Sequence, residues 1–98
     1  MSEEELKSLL DTLLVSVNGL DAHSQGFRAA IWDFADWCEA APTFPTHLES
    51  LTWLDEAIER ERGALFAAQN DPDERAEVAT HEGRVNAYAT LMMRMQLG

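Results

Sequence analysis

Histidine, cysteine and carboxylate side chains are the residues here that could carry acid–base, nucleophilic or metal chemistry. His23, His47 and His81 are more than twenty residues apart, so none pairs with a second histidine at metal-ligand spacing. Cys38 is the only cysteine, and on an apolar helix face it is more typical of a core residue than of a nucleophile. The sequence has no glycine-rich phosphate loop, nucleophile elbow or cysteine pair. It therefore predicts no catalytic residue, no cofactor and no metal ligand.

One acid and one histidine are nevertheless expected to meet. If the last two helices fold back antiparallel about Asp71, residues whose numbers sum to roughly 142 face each other. Glu61 then lies opposite His81. A carboxylate there favours the charged imidazole, whereas burial opposes it. We interpret the pair as a polar contact that sets the register of the hairpin, with a catalytic dyad as the alternative.

A tryptophan on the second helix is the candidate for an interaction surface. The helical wheel places Trp32 opposite the apolar residues of that helix. Its neighbours on the polar side are three acids: Asp33, Asp36 and Glu39. An exposed tryptophan among acids is typical of a binding hot spot for a basic surface. The alternative is that Trp32 lies beneath the first or third helix.

Capping residues and apolar spacing predict the helices that position these side chains. Ser2 with Glu5, and Thr46 with Glu49, each have the spacing of a capping box. Pro42 ends the second helix, since the residue before a proline avoids the helical region. The predicted helices cover residues 3–18, 24–41, 47–69 and 72–96.

The last helix has a second face made of small residues. A glycine inside a helix costs about 1 kcal/mol relative to alanine, so Gly83 predicts close approach of another backbone. Either the first two helices or a second subunit could dock there. Together these elements predict an all-α fold, a single domain over residues 1–98 that forms a small four-helix bundle with a C-terminal antiparallel helical hairpin.

Charge limits the partners. The chain has 18 acidic residues against 7 lysines and arginines, for a net charge of −11. Such a field repels nucleic acid and anionic membranes and attracts basic protein surfaces. The predicted partner is thus a protein with a basic surface, with no direct nucleic acid and no membrane. The alternative is that the acidity serves only solubility.

The compartment follows from the cysteine content and the first residues. A single cysteine cannot form an internal disulfide, which excludes a secreted disulfide scaffold. The first residues are acidic where a signal peptide needs basic ones, and no apolar run has the length of a membrane span. We expect a cytoplasmic location.

The second half of the chain resembles the C-terminal hairpin of short bacteriophage-encoded helical proteins of unassigned function, including anti-CRISPR-like inhibitors. The residues that carry the resemblance are Phe44, Trp53, Leu54, Ile58, Asp71, Pro72, Glu82, Gly83, Arg84, Val85, Ala87 and Leu91. The resemblance covers about half the chain. It implies a phage origin and a location in the bacterial host cytosol.

The sequence leads to three hypotheses of function. The first is a non-enzymatic acidic protein-binding module, in its concrete form a phage-encoded DNA mimic that inhibits a host defence protein by blocking its basic nucleic-acid-binding surface. The second is a self-associating structural or adaptor protein, a homodimer whose acidity only keeps it soluble. The third is an enzyme, which would need a pocket with converging carboxylates.

Overall fold

The computed structural model describes residues 2–97, which form four α-helices and no strand. The helices are α1 (Glu3–Ser16), α2 (Ala22–Ala40), α3 (His47–Gln69) and α4 (Arg75–Leu97), with a 3-10 turn at Pro72–Glu74 before α4. The predicted all-α fold is therefore confirmed. Met1 and Gly98, the two ends of the predicted domain, lie outside the described residues.

The helices begin where a side chain accepts a hydrogen bond from a backbone N–H group of the first turn. The Ser2 hydroxyl accepts the N–H of Glu5 at 3.1 Å, and Thr46 with Glu49 forms a complete capping box. Asp21 caps α2, which begins two residues before the predicted start at 24.

Two other boundaries differ from the sequence prediction by two residues or more, and the ends of α2 and α4 differ by one. Helix α1 ends at Ser16 rather than at residue 18, since the backbone of Val17 is extended. Pro72 starts a 3-10 turn instead of the α-helix, since the Asp71 carboxylate accepts the N–H of Asp73 at 2.9 Å and tightens the first turn.

Three helices, α2, α3 and α4, pack together, with α4 against both others. The rings of Trp37 on α2 and Trp53 on α3 stack at 5.3 Å, close to the connection between these helices, so α2 and α3 are antiparallel. Trp53 also meets Tyr88 edge-on at 5.6 Å. Since α3 and α4 form an antiparallel hairpin, α2 and α4 run in the same direction. The largest fully buried side chains at this junction are Tyr88, Phe34, Ile31, Leu54 and Leu91.

The close approach predicted at Gly83 is present, and the backbone that approaches belongs to α2. A Cβ atom on Gly83 would lie 2.9 Å from the carbonyl carbon of His23, and closer to its oxygen. A Cβ atom on Gly26 of α2 would likewise collide with the carbonyl group of Thr80. Both contacts are with backbone, which cannot turn aside as a side chain can. The two glycines thus let α2 and α4 lie against each other.

Helix α1 occupies a more peripheral place than a symmetric bundle would give it. It packs on α2 through Leu6, Leu10 and Leu13, which are buried. The Arg28 side chain donates to the carbonyl of Val17 at 2.8 Å and holds the end of the α1–α2 connection. The small-residue face of α4, where either the first two helices or a second subunit could dock, receives α2. Across residues 2–97, no helix is both long enough and apolar enough to cross a membrane.

Candidate functional site

A groove of about 360 Å³ lies between α1 and α2. Leu6 and Leu10 form its buried floor, and Leu14 extends it along α1. The residues that line its α2 side and its end are Trp32, Ala35, Cys38, Glu39 and Phe44. Its remaining lining residues are exposed and charged: Glu3, Lys7 and Asp11. The result is an apolar channel with a charged rim.

The predicted interaction residue Trp32 lies at the edge of this groove. This residue is 53% exposed, so it is neither fully exposed to solvent nor buried beneath another helix. Glu39 lines the same groove, and Asp36 is exposed one helical turn from both residues. The structure thus brings Trp32, Asp36 and Glu39 to one face of α2, and α1 adds Asp11 beside them.

The fourth predicted interaction residue, Asp33, has a different role. Its carboxylate forms an ion pair with the Arg84 guanidinium of α4. The Asp33 side chain therefore points towards the α2–α4 contact, away from the face that carries Trp32. The wheel grouped Asp33 with Asp36 because it considers one helix alone, whereas the long arginine of a neighbouring helix determines where this carboxylate lies.

The predicted contact between Glu61 and His81 is present in the expected register. His81 Nδ1 lies 2.9 Å from Glu61 Oε2, and Arg84 Nε donates to the other carboxylate oxygen at 2.7 Å. Arg84 also donates to the Tyr88 hydroxyl at 3.1 Å and reaches Asp33. One arginine therefore links α2, α3 and α4. Among the described residues, no buried side-chain nitrogen or oxygen lacks a hydrogen-bond partner, so the cluster is satisfied from within.

We refer to Asp33, Glu61, His81, Arg84 and Tyr88 as the Arg84 network. Burial raises the pKa of Glu61, but hydrogen bonds from Arg84 and His81 outweigh it, and the pKa lies below its ordinary value. Burial likewise opposes the charge on Arg84, yet its bonds to Asp33 and Glu61 raise its pKa. The pKa of Tyr88 is raised, chiefly by burial. Glu61 and Arg84 are thus both held in their charged forms, as expected of a structural ion pair.

The lowered pKa of Glu61 predicts a loss of stability in acid. The stability it contributes is fully present above the ordinary carboxyl pKa of 4.5 and is lost as the pH falls through the lower folded value. Between about pH 6 and pH 3, the free energy of unfolding should therefore fall more steeply for the wild type than for Glu61→Gln. Urea denaturation at each pH measures both slopes.

Some acid sensitivity should remain in that variant. The pKa of Asp21 is lowered by hydrogen bonds from Ser24, and that of Glu49 by hydrogen bonds from Thr46. Both caps are intact in Glu61→Gln. The effect of the Glu61 charge is therefore measured by the difference in slope between the wild type and this variant. Equal slopes would contradict the assignment of a folded-state role to the Glu61 charge.

The remaining chemistry-bearing residues do not converge. His23 Nε2 contacts the Asn86 amide at 2.8 Å, and His47 is exposed at the start of α3. Within residues 2–97, no three side chains of histidine, cysteine, aspartate or glutamate are grouped so as to hold a metal ion. Cys38 lines the groove, and burial, with a smaller effect from Glu39, raises its pKa from 9.0 to about 11. At neutral pH it is a thiol, which suits an apolar channel better than nucleophilic attack.

Sequence reasoning missed both the groove and the third helix of the Arg84 network. His81 and Arg84 are three residues apart on α4, a spacing that puts both side chains on the same face of the helix. The sequence therefore indicated that Arg84 could join His81 in contacting Glu61. No feature of the sequence indicated the groove, because the groove depends on the distance between α1 and α2.

Comparison of the chain with protein-family models, with curated proteins and with solved structures finds no match.

Proposed function

We propose that this protein is a non-enzymatic binding module that recognises a basic surface of another protein through the face shared by α1 and α2. The observation that carries the proposal is the half-exposed Trp32 at the edge of an apolar groove whose rim has exposed carboxylates. Aromatic anchors surrounded by polar groups supply most of the binding energy in many protein interfaces. The net charge of −11 speeds encounter with a basic partner.

Charge and position can be separated with matched variants. One carries Asp11→Asn, Asp36→Asn and Glu39→Gln on the proposed face, and the other carries Asp55→Asn, Glu56→Gln and Glu82→Gln on α3 and α4. Both remove the same charge from exposed positions. Each immobilised protein is exposed to a bacterial lysate at about 50 mM and about 500 mM salt, where screening differs strongly.

We expect the wild type and the second variant to retain a partner at low salt. The first variant should not retain it, and high salt should release it from the wild type. Retention that is unchanged by salt and by both sets of substitutions would contradict an acidic recognition surface. Equal loss in the two variants would assign binding to overall charge and not to this face.

In its concrete form, the proposal is a phage-encoded inhibitor that mimics DNA and occupies the nucleic-acid groove of a host defence protein. The acidic surface and the hairpin resemblance noted above support this form. Its own test is competition: a captured DNA-binding partner should release a labelled duplex when this protein is added. Ternary complexes of protein, partner and duplex would contradict it.

Self-association is the second candidate, favoured by exposed apolar residues at the far end of α1. Val15 is 77% exposed and Leu20, in the connection to α2, is 85% exposed. A symmetric contact between two copies could cover them. Sedimentation equilibrium tests this candidate, since a homodimer has twice the mass of the chain and a strict monomer excludes it.

A further inference from the structure

We propose that the α1–α2 groove receives the apolar face of a basic amphipathic helix supplied by the partner. This inference rests on the proposed function and names the kind of element that the groove recognises. It is carried by the shape of the groove, by the aromatic side chains at its edges and by the charge of its rim.

The two sides of the groove are ridges of helix residues. Leu6, Leu10 and Leu14 recur every fourth residue along α1, while Ala35 and Cys38 continue from Trp32 at three-residue steps along α2. A channel between two such ridges is the arrangement in which a third helix packs, its own side chains entering between those of its neighbours. The small side chain of Ala35 leaves room for an incoming residue on the α2 side.

The length of the groove also fits a helix. From Glu3 to Leu14 the α1 wall rises about 16 Å at 1.5 Å per residue, which is three helical turns. A helix lying along it can place apolar residues at positions i, i+4 and i+7 into the channel. Trp32 and Phe44, 53% and 37% exposed, stand at its edges, where closure over a bound helix would bury more of both rings.

The charge of the rim determines which helix fits. Lys7 is the only base among the lining residues and is paired with Glu3 at 3.5 Å, leaving Asp11 and Glu39 to face the occupant. Lysines or arginines flanking the apolar face of the incoming helix would therefore meet carboxylates on both walls. A second copy of this chain, itself at −11, would be repelled from the same rim.

The test uses two synthetic peptides of about 16 residues, long enough to span the groove with about 4 Å to spare at either end. The helical peptide has leucines at i, i+4, i+7 and i+11 and lysines on its other faces. The scrambled peptide has the same composition without a continuous apolar face. Binding to the full chain is measured by isothermal titration calorimetry at low and high salt.

Substitutions place the binding site. Ala35→Lys puts a cation into the groove, and Ala67→Lys puts one on the exposed surface of α3 with the same change in net charge. We expect Ala35→Lys to weaken binding of the helical peptide by about tenfold or more, since a lysine there fills the channel and places a cation against a basic ligand. Ala67→Lys should weaken it by less than about twofold. Trp32→Ala should also weaken binding while leaving the melting temperature close to that of the wild type.

Cys38 provides a second readout that needs no substitution. Because its thiol lines the groove, a bound helix should slow its alkylation by iodoacetamide, whereas the scrambled peptide should not. Mass spectrometry of the wild-type protein follows the reaction. This measurement keeps the test decisive even if Ala35→Lys fails to fold.

The outcomes separate the two proposals. Equal affinity for both peptides, equal affinity of both lysine variants, or unchanged alkylation of Cys38 would overturn the groove assignment. If such binding still weakened with salt, the acidic recognition surface would remain. Failure of both peptides to bind at low salt would overturn the groove assignment, while the lysate experiment decides the proposed function separately. A dimer that Ala35→Lys dissociates would make a second copy the occupant and refute a basic helix.

Discussion

Replacing Gly83 by alanine is expected to lower the free energy of unfolding by about 2 kcal/mol, even though alanine is the better helix former. The new Cβ atom would lie 3.0 Å from the backbone nitrogen of Phe27 and 2.9 Å from the carbonyl carbon of His23. Neither backbone group can rotate away, so α2 and α4 must separate and loosen the core between them. Thermal denaturation should show a decrease of about 10 °C for a domain of this size.

The chain contains its own control for this prediction. Gly63, within α3, would carry a Cβ atom with no neighbour inside 4 Å. There the gain in helix propensity acts alone, and Gly63→Ala should raise the free energy of unfolding by about 1 kcal/mol. Gly26→Ala, whose Cβ atom would meet the Thr80 carbonyl, should behave like Gly83→Ala. Stabilisation by all three substitutions would mean that α2 and α4 are not in backbone contact.

The different behaviour of these glycines shows how far the sequence predicts the fold. Gly83 stood out because a glycine inside a long helix costs free energy that some contact must offset. Gly63 has the same local signal without any contact. Gly26, which lies in the second turn of α2, carried no distinct signal although its contact is equally close. Sequence therefore indicates where a backbone could approach, and only the packing of α2 on α4 shows where it does.

The candidate site divides in the same way. Glu61 and His81 belong to helices joined by a short turn, so counting residues from Asp71 is sufficient to bring them together. Asp33 comes from α2, which precedes the hairpin. Counting residues does not give the rotation of α2 about its own axis, and this rotation determines which neighbour Asp33 faces. Trp32 was predicted to be either exposed or covered. It is 53% exposed and lines the groove between α1 and α2, a position that depends on the packing of two helices.

Arg84→Ala is expected to reduce stability more than the glycine substitutions do. It leaves the Glu61 carboxylate, in a residue only 7% exposed, without its principal cation, and it removes the link to Asp33 on α2. Breaking a buried ion pair by removing one partner typically costs about 3–5 kcal/mol. Because 19% of the Arg84 side chain is exposed, we expect about 3 kcal/mol, measured by urea denaturation at neutral pH.

The comparison residue is Arg62, whose pair with Glu59 spans one turn of α3 at 3.8 Å with both side chains mostly exposed. Arg62→Ala should change the free energy of unfolding by less than about 0.5 kcal/mol, since exposed pairs contribute little. A loss in Arg84→Ala no larger than this would show that the network adds no stability.

A double variant, Glu61→Leu with Arg84→Met, separates charge from packing. It removes both members of the buried ion pair and retains apolar volume, and well-packed apolar replacements of buried pairs are often neutral or stabilising. Asp33, with 49% of its side chain exposed, keeps its contact with water. The double variant should therefore be more stable than Arg84→Ala. If it were as unstable as Arg84→Ala, the loss would come from the missing contacts of the arginine with Tyr88 and Asp33, and the unpaired Glu61 charge would not be its cause.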